Sequence, residues 1–188
     1  MQKFALSLVS LSLSLSAFAA PESYTIDPNH TFPNFTVNHL GFSTMRGRFN
    51  KSSGKLTLDR AAKTGSVELS IDTASVDTGF QKRDDHLRSP DFFNAQEFPA
   101  MTFKSTAVKF DGDKPSSVDG NLTLLGVSKP VSLKIDAMNC GDNPMDKKPT
   151  CGFEASTQIK RSDFGMKYGV PAIGDDIKLS FEVEALKN

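Results

Sequence analysis

A two-residue rhythm of apolar and polar side chains runs through most of this chain. Phe35, Val37 and His39 alternate with Thr36 and Asn38, and Leu56 and Leu58 with Lys55, Thr57 and Asp59. Val67, Leu69 and Ile71 flank Glu68 and Ser70, and Leu122 and Leu124 flank Thr123. The rhythm returns from Val131 to Ala137, from Phe153 to Ile159 and from Ile177 to Ala185. Successive side chains of a strand point to opposite faces, so each run predicts a strand with one apolar face. Met101 to Phe110 is strand-like with a broken parity, which predicts a bulge. Turn signals such as Ser53-Gly54, Asp111-Gly112-Asp113 and Gly126-Val127-Ser128-Lys129-Pro130 separate the runs. Connectors this short imply antiparallel pairing. About eight such strands can form a sandwich or close into an up-and-down barrel, which removes exposed edges. One segment, Thr78 to Ser89, breaks the rhythm. It predicts the helix of the chain, with Thr78 as its cap and Phe80 and Leu87 on one face.

The start of the chain bears on where such a fold works. Lys3 precedes an apolar, serine-containing stretch from Phe4 to Leu15, and Ala17-Phe18-Ala19 precedes Ala20. This pattern predicts a secretory signal peptide over residues 1–19, cut after Ala19, and a periplasmic or secreted mature chain. The stretch is too short to anchor a protein across a bilayer. Removing it from 188 residues leaves 169, which fits one domain over 20–188. Lys+Arg and Asp+Glu are equal at 22 each, so nothing favours nucleic acid as a partner. Two cysteines, Cys140 and Cys151, bracket a polar, proline-bearing segment that reads as a loop. In an exported chain such a pair favours a disulfide over a redox or metal pair. Aromatic usage is lopsided, with 15 Phe, 2 Tyr and no Trp. Phe brings no polar handle into an interior, which suits both an ordinary core and an apolar cavity.

Motifs for catalysis are weak. Ser52-Ser53-Gly54-Lys55 and Lys63-Thr64-Gly65 match two elements of penicillin-binding enzymes, but they flank one strand and read as turns. Among His30, His39 and His86 no zinc spacing occurs. Asp84-Asp85-His86 are neighbours on a helix, so their side chains diverge and cannot meet at one reacting atom or metal. They read as a solvated face with local ion pairs. His39 shares the parity of Phe35 and Val37, so it is either a hydrogen-bonded scaffold residue or a polar contact to a ligand head group. Three Asn-x-Ser/Thr sequons, at Asn29, Asn34 and Asn121, have meaning only in a eukaryotic secretory route. No catalytic residue, metal ligand or cofactor is assigned.

Five blocks in order carry a family resemblance. The first is Tyr24-Thr25-Ile26-Asp27 with His30, leading to Phe35 through Thr44 and Arg46-Gly47-Arg48-Phe49. The second and most specific is Arg83-Asp84-Asp85-His86-Leu87-Arg88-Ser89-Pro90-Asp91-Phe92-Phe93. Phe98-Pro99 with Thr102-Phe103, Gly120 to Val131, and Arg161-Ser162-Asp163-Phe164-Gly165-Met166 complete the set. The chain resembles the YceI-like family of exported polyisoprenoid-binding proteins from Tyr24 to about Ala185. The resemblance implies an all-β fold: an extended eight-stranded antiparallel barrel of lipocalin-like shape with one short helix near an end. It implies an elongated apolar cavity for a long-chain isoprenoid lipid, either a polyprenyl or an isoprenoid-quinone lipid. Pro33 departs from it by interrupting the first strand region.

Parity and resemblance together predict a cavity wall of Phe35, Val37, His39, Leu69, Ile71, Phe103, Leu133, Ile135, Phe153, Leu179 and Phe181. Burying a tail at about 0.8 kcal/mol per CH₂ would nominally pass the roughly 18–21 kcal/mol ceiling on non-covalent affinity. Ordering the tail and opening the barrel must therefore limit binding, and tail length should govern selectivity. Partners in view are the lipid, a second copy of the chain and a membrane surface met transiently. Two other readings compete with a lipid carrier. One is an enzyme acting on the lipid, with His39 or His86 as acid or base. The other is a filled barrel whose loops bind an envelope protein. The segment Arg83 to Arg88 is expected to be scaffold or gate, with Leu87 packed inward beside Phe80.

Overall fold

A computed structural model describes residues 20–188. The signal-peptide expectation lies outside these residues. Eleven strand segments form one continuous antiparallel sheet: β1 (Glu22–Ile26), β2 (Phe32–His39), β3 (Ser43–Phe49), β4 (Ser52–Asp59), β5 (Thr64–Asp72), β6 (Val76–Asp77), β7 (Ala100–Asp111), β8 (Lys114–Leu124), β9 (Val127–Asp142), β10 (Pro149–Lys160) and β11 (Ile173–Lys187). Six of these segments join end to end as three broken staves, β1 with β2, β3 with β4, and β5 with β6. With β7 to β11 they make eight staves. Each pairs with its neighbour in sequence, and β11 closes the ring by pairing with β1 and β2. The result is a closed eight-stranded barrel of up-and-down topology, and no long edge is left unpaired.

The breaks in the staves are sealed by side chains. Between β1 and β2, the fully buried Thr31 donates its hydroxyl to the Glu184 carbonyl at 3.3 Å and accepts from the Glu184 amide at 3.2 Å. It thereby satisfies the backbone of β11 where no strand lies opposite. Ser52, at the matching break between β3 and β4, donates to the Thr31 carbonyl at 3.2 Å. Between β5 and β6 a 3₁₀ turn, Thr73–Ser75, is capped by Asp72, and Thr73 donates to the Phe98 carbonyl at 2.7 Å. Pro33, expected to interrupt the first strand region, sits inside β2 opposite Phe181. Pairing with β3 starts only at Asn34, so the missing N–H removes no bond from that ladder. The break falls instead at residues 27–31.

The broken parity of β7 has the expected cause. Register shifts by one residue between Ser105 and Ala107. Met101 and Phe103 face inward before the shift, and Val108 and Phe110 after it. Cys140 and Cys151 face each other across β9 and β10, with Cα atoms 4.1 Å apart, and are bonded. The segment between them is therefore mostly hairpin. β9 runs to Asp142 and β10 starts at Pro149, which leaves only Asn143 to Lys148 as loop.

Two apolar clusters divide the interior. Tyr24, Leu56, Leu58, Cys151 and Ala185 fill the end of the barrel beside the disulfide. A larger cluster, including Ile71, Phe103, Leu122 and Phe164, occupies the rest. The helix α1 (Gln81–Arg88) lies at the opposite end from the disulfide.

Candidate functional site

The larger cluster is not filled to its axis. A cavity of about 280 Å³ runs inside it, near the lower end of the usual ligand-pocket range of roughly 300–1,000 Å³. Its wall is built from inward positions on both halves of the barrel, for the period-two reason that the sequence displays. Nine of the eleven expected wall residues line it: Phe35, Val37, His39, Leu69, Ile71, Phe103, Leu133, Leu179 and Phe181. Ile135 and Phe153 do not. Ile135 packs on the larger cluster away from the void. Phe153 lies only two residues from Cys151 and joins the smaller cluster with Met138, at the closed end. Parity alone reports the face of a strand, not the height along the barrel, and height is what removes Phe153.

Several wall residues were not singled out from the sequence. Met45 and Phe49 on β3 line the cavity, as do Leu122, Leu124 and the Phe92–Phe93 pair that follows α1. The signal for Met45 and Phe49 was present, since they share parity with Gly47. A Cβ on Gly47 would overlap the tip of the Phe35 ring, so glycine is what lets that ring lie flat against β3. Phe35, Phe49 and Phe93 then form a chain of tilted and edge-on rings, with centroids 5.8 and 5.2 Å apart.

One end of the cavity is ringed by three elements that touch in sequence. The β2–β3 turn donates the Leu40 amide to the Ala172 carbonyl at 2.9 Å. The segment before β11 places Tyr168 edge-on to His86 at 5.1 Å. Helix α1 places Arg83 against the Met45 sulfur at 3.9 Å. The middle element is held by Arg161, which is only 3% exposed. Its guanidinium donates to the carbonyls of Gly174, Met166, Tyr168 and Ile173 at 2.9 to 3.2 Å. Burial pushes the Arg161 pKa down, and the charge of Asp175 opposes this. With its donors committed to backbone, Arg161 is a strut of the mouth.

The helix departs from its sequence reading in three ways. Thr78 does not cap it. Gly79, at φ +75°, turns the chain between them, and Phe80 is the N-cap residue without a side-chain bond. Phe80 has extended backbone angles, so it leaves the helical face and stands 56% exposed, while Leu87 alone packs inward. The run of charges is not wholly solvated either. Asp84 is buried and accepts from the Thr78 amide and hydroxyl. Arg83 in turn donates to the Thr78 hydroxyl and carbonyl, both at 2.7 Å. Asp84, Thr78 and Arg83 thus form one satisfied polar knot that seats the helix on the barrel end.

His86 does not meet Asp84 or Asp85. Its Nε2 lies 2.8 Å from Asp91, and its ring is edge-on to Phe92 and Tyr168. A carboxylate that orients an imidazole between two aromatic rings is a bracing arrangement. His39 lines the cavity near the mouth and pairs in register with Ser43 and Ile173. Far from this site, Asp27, His30 and Glu184 bring three ligand-type atoms within 4.8 Å of one another at the break between β1 and β2. His30 Nδ1 is already committed there to Asp27 at 2.7 Å.

Residues 24–185 match the family model described as the YceI-like domain. The protein named YceI from Escherichia coli O157:H7 is 40% identical over 191 residues, covering 100% of this chain and 99% of that one. A UPF0312 protein of Pseudomonas aeruginosa strain LESB58 is 39% identical and covers 96% and 97%. Among solved structures, BcnA of Burkholderia cenocepacia superposes with a TM-score of 0.72 at 25% identity, over 85% of this chain and 98% of that one. A polyisoprenoid binding domain from Saccharophagus degradans superposes with a TM-score of 0.65 at 19% identity, over 88% and 98%, and shares the fold.

Proposed function

Because the chain belongs to the YceI-like family, and because its barrel is hollow along an apolar axis, we propose that it binds a long-chain isoprenoid lipid there. The observation that carries this is the cavity itself: about 280 Å³, walled by Phe, Leu, Ile and Val, with polar side chains gathered toward one end. A linear apolar tail satisfies such a wall without demanding a hydrogen bond from it, and the polar end suits a head group. The S. degradans structure, a polyisoprenoid binding domain on the same fold, supports the same ligand class. The protein works on this reading as a periplasmic carrier or reservoir that shields the tail from water. The signal-peptide pattern of residues 1–19 supports that location. Nine of the residues expected from the sequence are the contact surface, and His39 meets the head-group end. A tail longer than the cavity either emerges through the mouth or widens the barrel.

The proposal is one of binding rather than turnover. His86 is braced by Asp91, Phe92 and Tyr168, and among the described residues neither it nor His39 has a hydrogen bond to a serine or cysteine side chain that it could activate.

Thermal denaturation with and without an added isoprenoid quinone tests it. At a ligand concentration of about 100 Kd, linkage adds about 2.7 kcal/mol, which for a chain of this size raises Tm by roughly 5–10 °C. Leu179→Trp, which fills the void from β11, should abolish most of that rise while the variant still unfolds cooperatively. An unchanged Tm for the wild type at every quinone concentration would contradict the proposal.

A further inference from the structure

The large apolar side chains that stand exposed are not scattered. Leu40 (49%), Phe42 (90%), Phe80 (56%) and Tyr168 (49%) all belong to the three elements that ring the cavity mouth. The remaining one among the described residues, Met145, lies on the loop at the disulfide end. Single exposed apolar residues are ordinary, but a cluster around the entrance of a cavity marks an interaction surface. Phe42 is at the tip of the β2–β3 turn, where Leu40 and Gly41 take positive φ and thrust the tip outward.

The charges on the same rim have one sign to spare. The exposed Arg46, Lys82 and Lys167 have no carboxylate partner within 4.0 Å among the described residues, whereas Arg83 is held in the knot with Thr78 and Asp84. Arg46 folds toward the tip, its guanidinium near the Thr44 carbonyl. Of the acids nearby, Asp85 pairs with Arg88, Asp91 is held by His86, and Asp84 is buried in the knot with Thr78 and Arg83, while Asp163 stands exposed on the segment that carries Lys167. The rim therefore exposes, among the described residues, three unpaired cations against one unpaired carboxylate, in a chain whose net charge is zero.

We propose that this mouth docks on an anionic lipid surface, with Leu40 and Phe42 entering the acyl boundary and the rim cations on the head groups. Exposed apolar tips flanked by unpaired cations are the combination that binds an interface of that kind. Docking there would set the cavity entrance against the membrane, so a tail could pass between bilayer and barrel without crossing water. A second copy of the chain is a poorer occupant, since a two-fold contact sets the rim cations against their own equivalents. The inference stands on the rim alone and does not depend on which lipid the cavity holds.

Co-sedimentation with vesicles of phosphatidylethanolamine and phosphatidylglycerol in equal parts tests it, with phosphatidylcholine vesicles as the neutral comparison. The wild type should pellet with the anionic vesicles and largely stay in solution with the neutral ones. Phe42→Ser should weaken binding roughly tenfold, because a phenyl ring is lost from the interface. Arg46→Gln with Lys167→Gln should weaken it roughly twentyfold at low salt and much less at high salt. Met145→Ser, at the far end, should bind as wild type. Equal binding of wild type and Phe42→Ser, or loss in Met145→Ser alone, would overturn the inference. So would a dimer in sedimentation velocity that Phe42→Ser abolishes while the wild type ignores vesicles. A protein that docks as described yet yields no cavity lipid would retain this inference and remove the binding proposal.

Discussion

Gly47 shows how much of this site depends on a side chain that is missing. A methyl group there would overlap the Phe35 ring tip and come within 2.8 Å of Thr78 Cγ2. Thr78 is fixed by Asp84 and Arg83, so the ring is what must yield, and the free space it can enter is the cavity. Gly47→Ala should then cost about 1–3 kcal/mol of stability and reduce lipid occupancy together. Paired denaturation and ligand titration check this; a loss of stability with full occupancy would place the strain elsewhere. His30 offers a second test at this scale. Its hydrogen bond to Asp27 favours the imidazolium and raises its pKa above the ordinary 6.5, with the charges of Asp27 and Glu184 adding to the effect. A raised folded-state pKa means the contribution to stability is present below pH 6.5 and is lost as pH rises through the raised value. His30 is exposed, so the measurement is its own titration by NMR. Its midpoint should lie above 6.5 and fall in Asp27→Asn.

At the scale of elements, the strands were legible because a half-buried strand writes its geometry into alternate residues. Seven of the staves announced themselves this way, and the bulge in β7 was visible as a change of parity between Phe103 and Val108. β3 was not singled out by that rhythm, since its inward positions run Met45, Gly47, Phe49 and the glycine breaks it. The helix was legible as an interruption, but its contacts were not. Sequence spacing places Phe80 and Leu87 on one face only if both are helical, and Phe80 is not. Nor does spacing reveal that Asp84 turns back six residues to Thr78, because that bond depends on the Gly79 turn. The same knot gives a prediction. Thr78→Val removes the hydroxyl that links Asp84 and Arg83, leaving a buried carboxylate short of a partner, at a cost of about 1–3 kcal/mol. His86→Ala should leave lipid binding near wild type, as bracing by Asp91, Phe92 and Tyr168 implies. Thermal melts and ligand titration of the two variants separate seat from site. Thr78→Val with unchanged stability would show that the knot does not hold the helix.

The whole molecule is a barrel with unlike ends. The disulfide end is plugged by Tyr24, Leu56, Leu58 and Ala185, and the strands there pair across Cys140 and Cys151. The other end is ringed by a turn, a helix and a loop strutted by Arg161, and between them lies the void. Of the candidate wall, the face of each residue was legible in the sequence, whereas its height along the barrel was not. That a hollow exists at all depends on how Phe35, Phe49 and Phe93 stack, which no pattern of one strand encodes. The direct test of the central claim is native mass spectrometry of the protein purified from its own source, followed by organic extraction. The account predicts a mass increment matching one long-chain isoprenoid lipid per barrel, released on extraction and absent from Leu179→Trp. A wild-type barrel that carries no such increment, and takes none up when an isoprenoid quinone is added, would contradict it.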